Sequence, residues 1–289
     1  MPSPVNLHIH TTYSDGSHPP AEVAAMLKKA GVTTFAITDH NTVEGNAEAA
    51  AYAREHGLTH INGIELSCCF ANGEIGLDES WVAHILGLGI DLDLMNEKYH
   101  TLQQEKQTHL LQLFNRLVAD GYDIKLKKGT LKSKIFTRKN ISNALIGAGY
   151  ASDVDDCYEK ILNAERYRPY AKNKPTIQEG IGIIQSCGGL AVWAHPFGVI
   201  RGGKKKLTQE QVYALSEKMR EYGIDGMEVY YQKYSAEQIS WLGSLADTFG
   251  LHKSIGTDLH NPKQLAFDIV EPDAGVEATL KKIMRSPTL

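Results

Sequence analysis

The chain has 289 residues, of which 42% are hydrophobic and 22% are charged, and its formal net charge is −4. This length and composition are those of a globular protein with one large α/β domain or two smaller domains. The weak negative charge provides no global basic field that would indicate nucleic-acid or membrane binding.

The cysteines and the N-terminal segment bear on the cellular compartment. The four cysteines show no C-x-x-C spacing, so they indicate neither a zinc ribbon nor a disulfide framework. The first ten residues lack the charged and long apolar segments of a secretory signal peptide. The uncharged stretch 180–200 contains Gly-Gly and His195-Pro196, which favour a helix end, a turn and a buried strand over a membrane span. We expect a protein of the reducing cytoplasm with no membrane partner.

The first predicted strand covers 5–10, with the sequence VNLHIH. Successive strand residues point to opposite faces, so His8 and His10 project from the same face. By itself an H-x-H pair is more typical of a polar strand edge than of a metal site. Imidazole is nevertheless the commonest protein ligand for borderline metals, so the rest of the chain decides between the two interpretations.

Strands and helices alternate along the rest of the chain. Helical spacing predicts helices at 19–31, 43–57, 97–121, 176–189, 206–223 and 235–250. Apolar runs predict further strands at 33–40, 59–67, 81–91, 189–196, 223–231 and 252–260. The strand at 81–91 follows a glycine-containing loop. Seven strands alternating with helices predict a parallel sheet, either open or closed into a barrel.

The pattern changes after residue 97, where a long amphipathic helix begins. Helical sequence continues to about residue 168 without a strong strand signal. We therefore predict a small helical subdomain at 100–169, inserted into a discontinuous α/β domain made of 1–99 and 170–289.

Potential metal ligands recur where the predicted strands end. They are His8, His10, Asp39, His40, Glu65, His84, His195, Asp258 and His260. Taken singly, His40 could cap a helix and His84 could be a core histidine. The carboxyl ends of parallel strands meet at one edge, however, so their joint placement favours a metal centre. The set is too large for one ion, which indicates two or three divalent ions sharing a carboxylate.

Six segments carry a family resemblance: HIHTTYSDGS, AITDHNT, NGIELS, AHILGLGI, AHP and GTDLH. Together they resemble the PHP (polymerase and histidinol phosphatase) family of metal-dependent phosphoesterases, over about 1–99 and 175–265. The resemblance implies a distorted (β/α)7 barrel, with the small helical subdomain inserted, and a trinuclear metal centre. Manganese is the usual metal, and iron and zinc are the alternatives.

The resemblance also implies which residues hold each ion. His8, His10, Glu65 and Asp258 would hold the first. Glu65, as a bridge, would hold the second with His84 and His195. Asp15, His40 and His260 would hold the third. Asp258 is also the predicted catalytic residue, because it would orient a hydroxide that bridges two metals or accept its proton.

Within the family, the chain most resembles proteins that cleave 3′,5′-bisphosphonucleotides and short 5′-phosphorylated oligonucleotides. The segment FTRKNISNAL resembles their phosphate-binding segment and gives that role to Arg138, whose planar guanidinium suits phosphate. Asn140 and Asn143 stand where a histidine and a second arginine are common, which leaves the substrate open. Arg168 and Arg201 are further candidate phosphate contacts. We expect the insertion to cover the active site.

The expected function is therefore hydrolysis of the 3′-phosphate of a bisphosphonucleotide, or of short 5′-phosphorylated oligonucleotides. Two alternatives are enzymatic: a phosphodiesterase for a cyclic sugar phosphate and a histidinol phosphate phosphatase. A third, from another class, is a metal-stabilised binding module without turnover. The expected partner is a small phosphorylated substrate, and no protein partner is indicated.

Overall fold

The computed structural model describes residues 4–70, 82–126, 137–170, 174–198, 207–261 and 274–285. The chain forms two compact units. One combines Met1–Tyr99 with Pro175–Leu289, and the other is His100–Lys174. The first unit contains a seven-stranded sheet, whereas the described part of the second is helical.

The element boundaries follow the predicted alternation. The strands are β1 (Val5–Asn6), β2 (Thr34–Ile37), β3 (Thr59–Cys69), β4 (Val82–Leu88), β5 (Leu190–Trp193), β6 (Gly226–Tyr231) and β7 (His252–Gly256). The α-helices are α1 (Pro20–Lys29), α2 (Asn46–His56), α3 (Leu92–Ala119), α4 (Arg138–Gly147), α5 (Val154–Cys157), α6 (Ile177–Ser186), α7 (Gln209–Glu221), α8 (Ala236–Phe249) and α9 (Ala274–Ile283). Helix α9, which the sequence analysis does not predict, buries Val276 and Ile283.

The sheet follows chain order from β1 to β7 and curls until its two edges meet. Leu7 N donates to Ile255 O at 2.9 Å, and His10 N donates to Leu259 O at 2.8 Å. These bonds link the chain around β1 to the chain around β7. The predicted α/β barrel is confirmed, and its strand ends form a continuous rim.

The prediction of a wholly parallel sheet is wrong at β4, which runs antiparallel to both β3 and β5. An antiparallel neighbour needs only a short connection, whereas a parallel neighbour needs a crossover, usually a helix. The loop that precedes β4 has no helical pattern in the sequence. His84 therefore lies near the start of its strand, opposite Ser67, and reaches the predicted rim because the strand is reversed.

Strand β1 is shorter than predicted because neighbouring side chains take its backbone donors. Asn6 Oδ1 accepts from His8 N at 3.3 Å, and Thr38 Oγ1 accepts from Ile9 N at 3.0 Å. The histidine pair thus lies on extended but irregular chain. Both imidazoles are buried.

Capping residues set the starts of three helices of the barrel unit. Helices α6, α7 and α8 each begin with a capping box, formed by Thr176 with Glu179, Thr208 with Gln211, and Ser235 with Gln238. These pairs satisfy backbone N–H groups that a helix start leaves free. The apolar faces of the same helices join the strands in the main core. Local sequence and packing therefore favour the same boundaries.

The second unit has an apolar core of its own. Helices α3 and α4 contribute Leu113, Leu117, Ile141 and Leu145, which are fully buried in it. A π-helical turn and a 3₁₀ helix, Glu165–Tyr170, follow α5. That this unit covers the active site stays a prediction. Within the described ranges, no helix combines the length and apolarity needed to span a membrane.

Candidate metal centre

The buried carboxylate of Glu65 on β3 is the centre of the site. Five imidazoles approach it. Oε1 lies 3.2 Å from His8 Nε2, 3.0 Å from His84 Nδ1 and 3.3 Å from His195 Nε2, and Oε2 lies 3.2 Å from His10 Nε2 and 2.9 Å from His40 Nδ1. Each oxygen of Glu65 therefore faces a different set of ring nitrogens.

Two aspartates and a sixth histidine extend the cluster. Asp258 Oδ1 lies 3.2 Å from His10 Nε2, and Asp15 Oδ1 lies 3.2 Å from His260 Nε2. All nine side chains predicted as ligands thus lie together at one rim. Their polar atoms form three groups, each within 4.8 Å: His10, Asp15, His40 and His260; His8, His10 and Glu65; and His40, Glu65 and His84. Asp258 and His195 lie beside these groups.

The donor atoms fit divalent cations. Four of the buried atoms that make no hydrogen bond in the described part of the chain belong to the cluster: His8 Nε2, His10 Nε2, His40 Nδ1 and Glu65 Oε2. Buried polar atoms are costly without a partner, and a cation would supply one to each. Imidazole and carboxylate donors suit ions such as Zn²⁺, Fe²⁺ and Mn²⁺.

The charged side chains of the cluster shift one another's pKa values. Burial alone would lower the pKa of His10, but the carboxylates of Asp258 and Glu65 outweigh it and raise that pKa to about 9. Burial would likewise raise the pKa of Glu65, yet His84 and His8 hold it well below its usual value. Without metal, the cluster therefore combines ionised carboxylates with protonated His10 at neutral pH.

Metal binding should be coupled to proton release. Folding raises the pKa of His10 from 6.5 to about 9, so protonation of His10 stabilises the metal-free folded protein. This stabilisation should be complete below pH 6.5 and should be lost as the pH rises through about 9. Apparent Mn²⁺ affinity should rise over the same interval, since the proton must leave first. Thermal unfolding and Mn²⁺ titration across this range test both trends. Stability and affinity that do not change with pH would contradict them, and His10→Gln is the control.

Asp39, another strand-end residue, orders the loop that carries Asp15. Its carboxylate accepts from Thr11 N at 2.7 Å, from Thr11 Oγ1 at 2.6 Å and from Ser14 Oγ at 2.6 Å. These bonds fold the loop so that Asp15 faces His260. Asp39 contributes to the site through this loop.

Two further residues, both on β6, contact the cluster although the sequence pattern does not predict them as ligands. Glu228 is fully buried, and its Oε1 lies 3.0 Å from His8 Nδ1. Tyr231 Oη donates to Asp258 Oδ2 at 3.0 Å. The available signal was a glutamate inside the apolar strand GMEVYY, because a buried carboxylate needs a partner.

The backbone at the rim is unusual. Among the described residues, the non-glycine residues with positive φ are Asn41 (56°), His195 (30°) and Asp258 (51°). Such conformations cost free energy and persist where surrounding contacts impose them, commonly at functional sites. Each of the three is a predicted ligand or follows one directly in the chain.

The three arginines predicted to contact phosphate are Arg138, Arg168 and Arg201. Arg138 begins α4, where its Nη2 donates to Leu162 O at 3.3 Å and its guanidinium lies 5.1 Å from the centre of the Tyr158 ring. Arg168 lies in the 3₁₀ helix, with its side chain outside the described residues, and Arg201 lies wholly outside them. The phosphate-binding role of all three arginines stays a prediction.

A cavity of about 450 Å³ opens along α4 in the second unit. Its lining includes Asp123, Lys125, Asn140 and Asn143. The Asn140 side chain is already engaged, because its Oδ1 accepts from Thr137 N at 2.9 Å. The two asparagines that distinguish this segment therefore share one pocket.

Comparisons with known proteins agree with this geometry. The PHP domain family matches residues 6–185. The 3′,5′-nucleoside bisphosphate phosphatase of Chromobacterium violaceum is 26% identical over 92% of this chain and 90% of its own length. The 5′-3′ exoribonuclease Rnm of Escherichia coli is 31% identical over 89% of this chain and 85% of its own length. A phosphoribosyl 1,2-cyclic phosphate 1,2-diphosphodiesterase of Eggerthella lenta is 26% identical over 88% of this chain and 93% of its own length.

A solved structure supports the fold independently. An amidohydrolase from Chromobacterium violaceum superposes with a TM-score of 0.64 and 24% identity, covering 97% of this chain and 95% of that protein. This likeness concerns the barrel architecture, whereas the sequence matches concern the family. The chain therefore belongs to the PHP domain family and is a metal-dependent phosphoesterase.

Proposed function

We propose that the enzyme hydrolyses phosphate esters of nucleotides, either the 3′-phosphate of a 3′,5′-bisphosphonucleotide or short 5′-phosphorylated oligonucleotides. The observation that carries this proposal is the convergence of five imidazoles on Glu65 in a chain similar over most of its length to two nucleotide-cleaving relatives. A cytoplasmic location and a free nucleotide as partner belong to the same proposal.

The proposed centre holds two or three divalent ions, with manganese as the expected metal. His8, His10, Glu65 and Asp258 would hold the first, Glu65, His84 and His195 the second, and Asp15, His40 and His260 the third. The two oxygens of Glu65 support a bridging role for this carboxylate, because each faces a different set of imidazoles. When bound, such ions lower the pKa of water and offset charge on phosphoryl oxygens.

Asp258 suits the role of proton acceptor. Its Oδ1 faces His8 and His10, whereas its Oδ2 accepts from Tyr231 and lies 3.6 Å from Lys233 Nζ. The side chain is thus fixed with one oxygen toward the proposed centre. Surrounding histidines, His10 foremost, overcome the effect of burial and lower the pKa of Asp258, so its carboxylate is ionised at neutral pH.

Replacing Arg138 by alanine should raise KM for a 3′,5′-bisphosphonucleotide by about tenfold or more, because a charge-assisted contact to phosphate contributes roughly 1.5–3 kcal/mol. KM for an aryl phosphate should change much less. Steady-state kinetics on both substrates measure the difference. Arg166→Ala is the matched control, since Arg166 lies in the same unit with its guanidinium 5.0 Å from the centre of the Tyr167 ring. Equal changes in KM on both substrates would contradict the proposed role.

A phosphodiesterase for a cyclic sugar phosphate is the second candidate. The match to the Eggerthella lenta relative covers 88% of this chain, close to the 92% and 89% covered by the two nucleotide-cleaving relatives. Asn140 and Asn143 also depart from the residues common in the nucleotide-cleaving subgroup. These two observations make substrate preference the property that separates the candidates.

Phosphate release from a substrate panel tests the proposal. The Mn²⁺-loaded enzyme would be assayed separately with four substrates: adenosine 3′,5′-bisphosphate, a 5′-phosphorylated dinucleotide, a cyclic sugar phosphate and histidinol phosphate. Because the cyclic ester and the dinucleotide yield phosphate only after a second cleavage, their products would also be separated chromatographically. We expect the bisphosphate or the dinucleotide to give the highest kcat/KM. Preference for the cyclic ester or histidinol phosphate would replace the proposal with that alternative, and no turnover would favour a binding module.

A further inference from the structure

We propose that Glu228 is a positioning residue that fixes the ring of His8 and couples it to His195. This inference rests on the proposed metal centre, in which those two histidines belong to different ions. Glu228 is not among the predicted ligands. It lies on β6, between β5, which precedes His195, and β7, which lies beside the chain around His8.

The carboxylate of Glu228 makes one contact with each histidine. Oε1 lies 3.0 Å from His8 Nδ1, and Oε2 accepts from the backbone N of His195 at 2.7 Å. Both Glu228 and His8 are fully buried. One side chain therefore joins two parts of the rim that are distant in sequence.

The contact with His8 determines which ring nitrogen can bind a cation. An ionised carboxylate only accepts hydrogen bonds, so Nδ1 of His8 must carry the proton. In the neutral ring, the lone pair is then on Nε2, the nitrogen that lies 3.2 Å from Glu65 Oε1 and 3.5 Å from Asp258 Oδ1. A carboxylate that accepts from the remote ring nitrogen commonly orients metal-binding histidines in this way.

The contact with His195 supports strained backbone. His195 has a φ of 30°, a conformation that needs outside support. Its N–H donates to Glu228, and its Nε2 lies 3.3 Å from Glu65 Oε1. Glu228 thus helps to hold the backbone that aims His195 at the centre.

Two local features of the sheet allow Glu228 to approach His8. The β6–β7 register shifts between Glu228 and Tyr230, an irregularity of the kind that re-aims a side chain. Gly256 on β7 lies against the contact, where an added Cβ would collide with His8 Cβ and Glu228 Oε1. Glycine is therefore required at that position for His8 and Glu228 to meet.

Glutamine cannot replace Glu228 in this role, although it has nearly the same shape. A carboxylate accepts from both the His8 ring and the His195 backbone, whereas an amide accepts with one end and donates with the other. Glu228→Gln must therefore lose the bond to His195 or force the proton of His8 onto Nε2. If Glu228 only filled space, Glu228→Gln would leave the protein unchanged, whereas a positioning role predicts that the substitution disturbs His8 or His195.

The test compares Glu228→Gln with Asp225→Asn in full-length protein. Asp225 is the matched control, because it precedes the same strand and accepts from Ala191 N at 2.9 Å. Mn²⁺ affinity would be measured by chelator competition, alongside the thermal unfolding of metal-free protein. We expect Glu228→Gln to weaken Mn²⁺ binding by about 10- to 100-fold, and Asp225→Asn to leave it within about threefold of wild type.

A second readout examines the tautomer directly. Two-bond ¹H–¹⁵N correlation spectra of the Zn²⁺-loaded protein should show the His8 proton on Nδ1 in wild type and an altered pattern in Glu228→Gln. Wild-type affinity and an unchanged His8 spectrum in Glu228→Gln would overturn the positioning role alone. Equal losses in both variants, matched by equal drops in Tm, would also overturn it. Wild-type protein that binds no divalent metal would instead contradict the proposed centre itself.

Discussion

Glu65→Gln is expected to reduce kcat/KM by about 10³-fold or more, because the groups of such a centre act as a unit. The carboxylate of Glu65 is approached by five imidazoles, three at one oxygen and two at the other. An amide would present one oxygen and one NH₂ group to those rings. The NH₂ group cannot bind a cation, so the proposed bridge would be lost while the side-chain volume is kept.

Metal content and kcat/KM should fall together in Glu65→Gln, with the protein still folded by circular dichroism. The control is Glu179→Gln, which removes one negative charge at the start of α6, where glutamine also suits a capping box. The control should keep wild-type metal content and rate. A Glu65→Gln enzyme with the wild-type rate would show that the centre lies elsewhere.

Asp258→Asn is expected to lower kcat by about 10²- to 10⁴-fold, the range that a general base contributes. The substitution removes the ability to accept a proton but keeps an oxygen that can face the centre. Glu65, His84 and His195 are untouched, so part of the bound metal should remain. Substantial metal with little turnover would separate the role of Asp258 in catalysis from its role as a ligand.

Tyr231→Phe gives a graded comparison with Asp258→Asn. It removes the hydrogen bond that Tyr231 Oη donates to Asp258 Oδ2 but keeps the carboxylate. Its kcat should lie between those of wild type and Asp258→Asn. A wild-type kcat in Asp258→Asn, measured with metal content in the same sample, would rule out the proposed proton acceptor.

Much of the site could be predicted because its residues follow strand ends. The alternation around His8 and His10 indicated a shared face, and the other candidates followed apolar runs whose carboxyl ends meet in a barrel. The structure brings all nine together at one rim. The direction of β4 could not be deduced from periodicity, because a strand has the same alternation in both directions. The missing helix before β4 was the usable signal.

Contacts between distant segments were beyond the reach of local patterns. Glu228 was overlooked because its partners, His8 and the backbone of His195, lie far from it in sequence. The shortening of β1 likewise depends on Thr38, a residue of the next predicted strand. Such effects depend on which side chains the folded barrel brings into contact.

The most direct test of a catalytic metal centre is to titrate metal-free protein with Mn²⁺ while measuring bound metal and phosphate release from adenosine 3′,5′-bisphosphate in the same samples. Release should be absent without metal and should rise as two or three ions bind per chain. Turnover by the metal-free protein at the rate of the loaded protein would contradict a catalytic metal centre at Glu65.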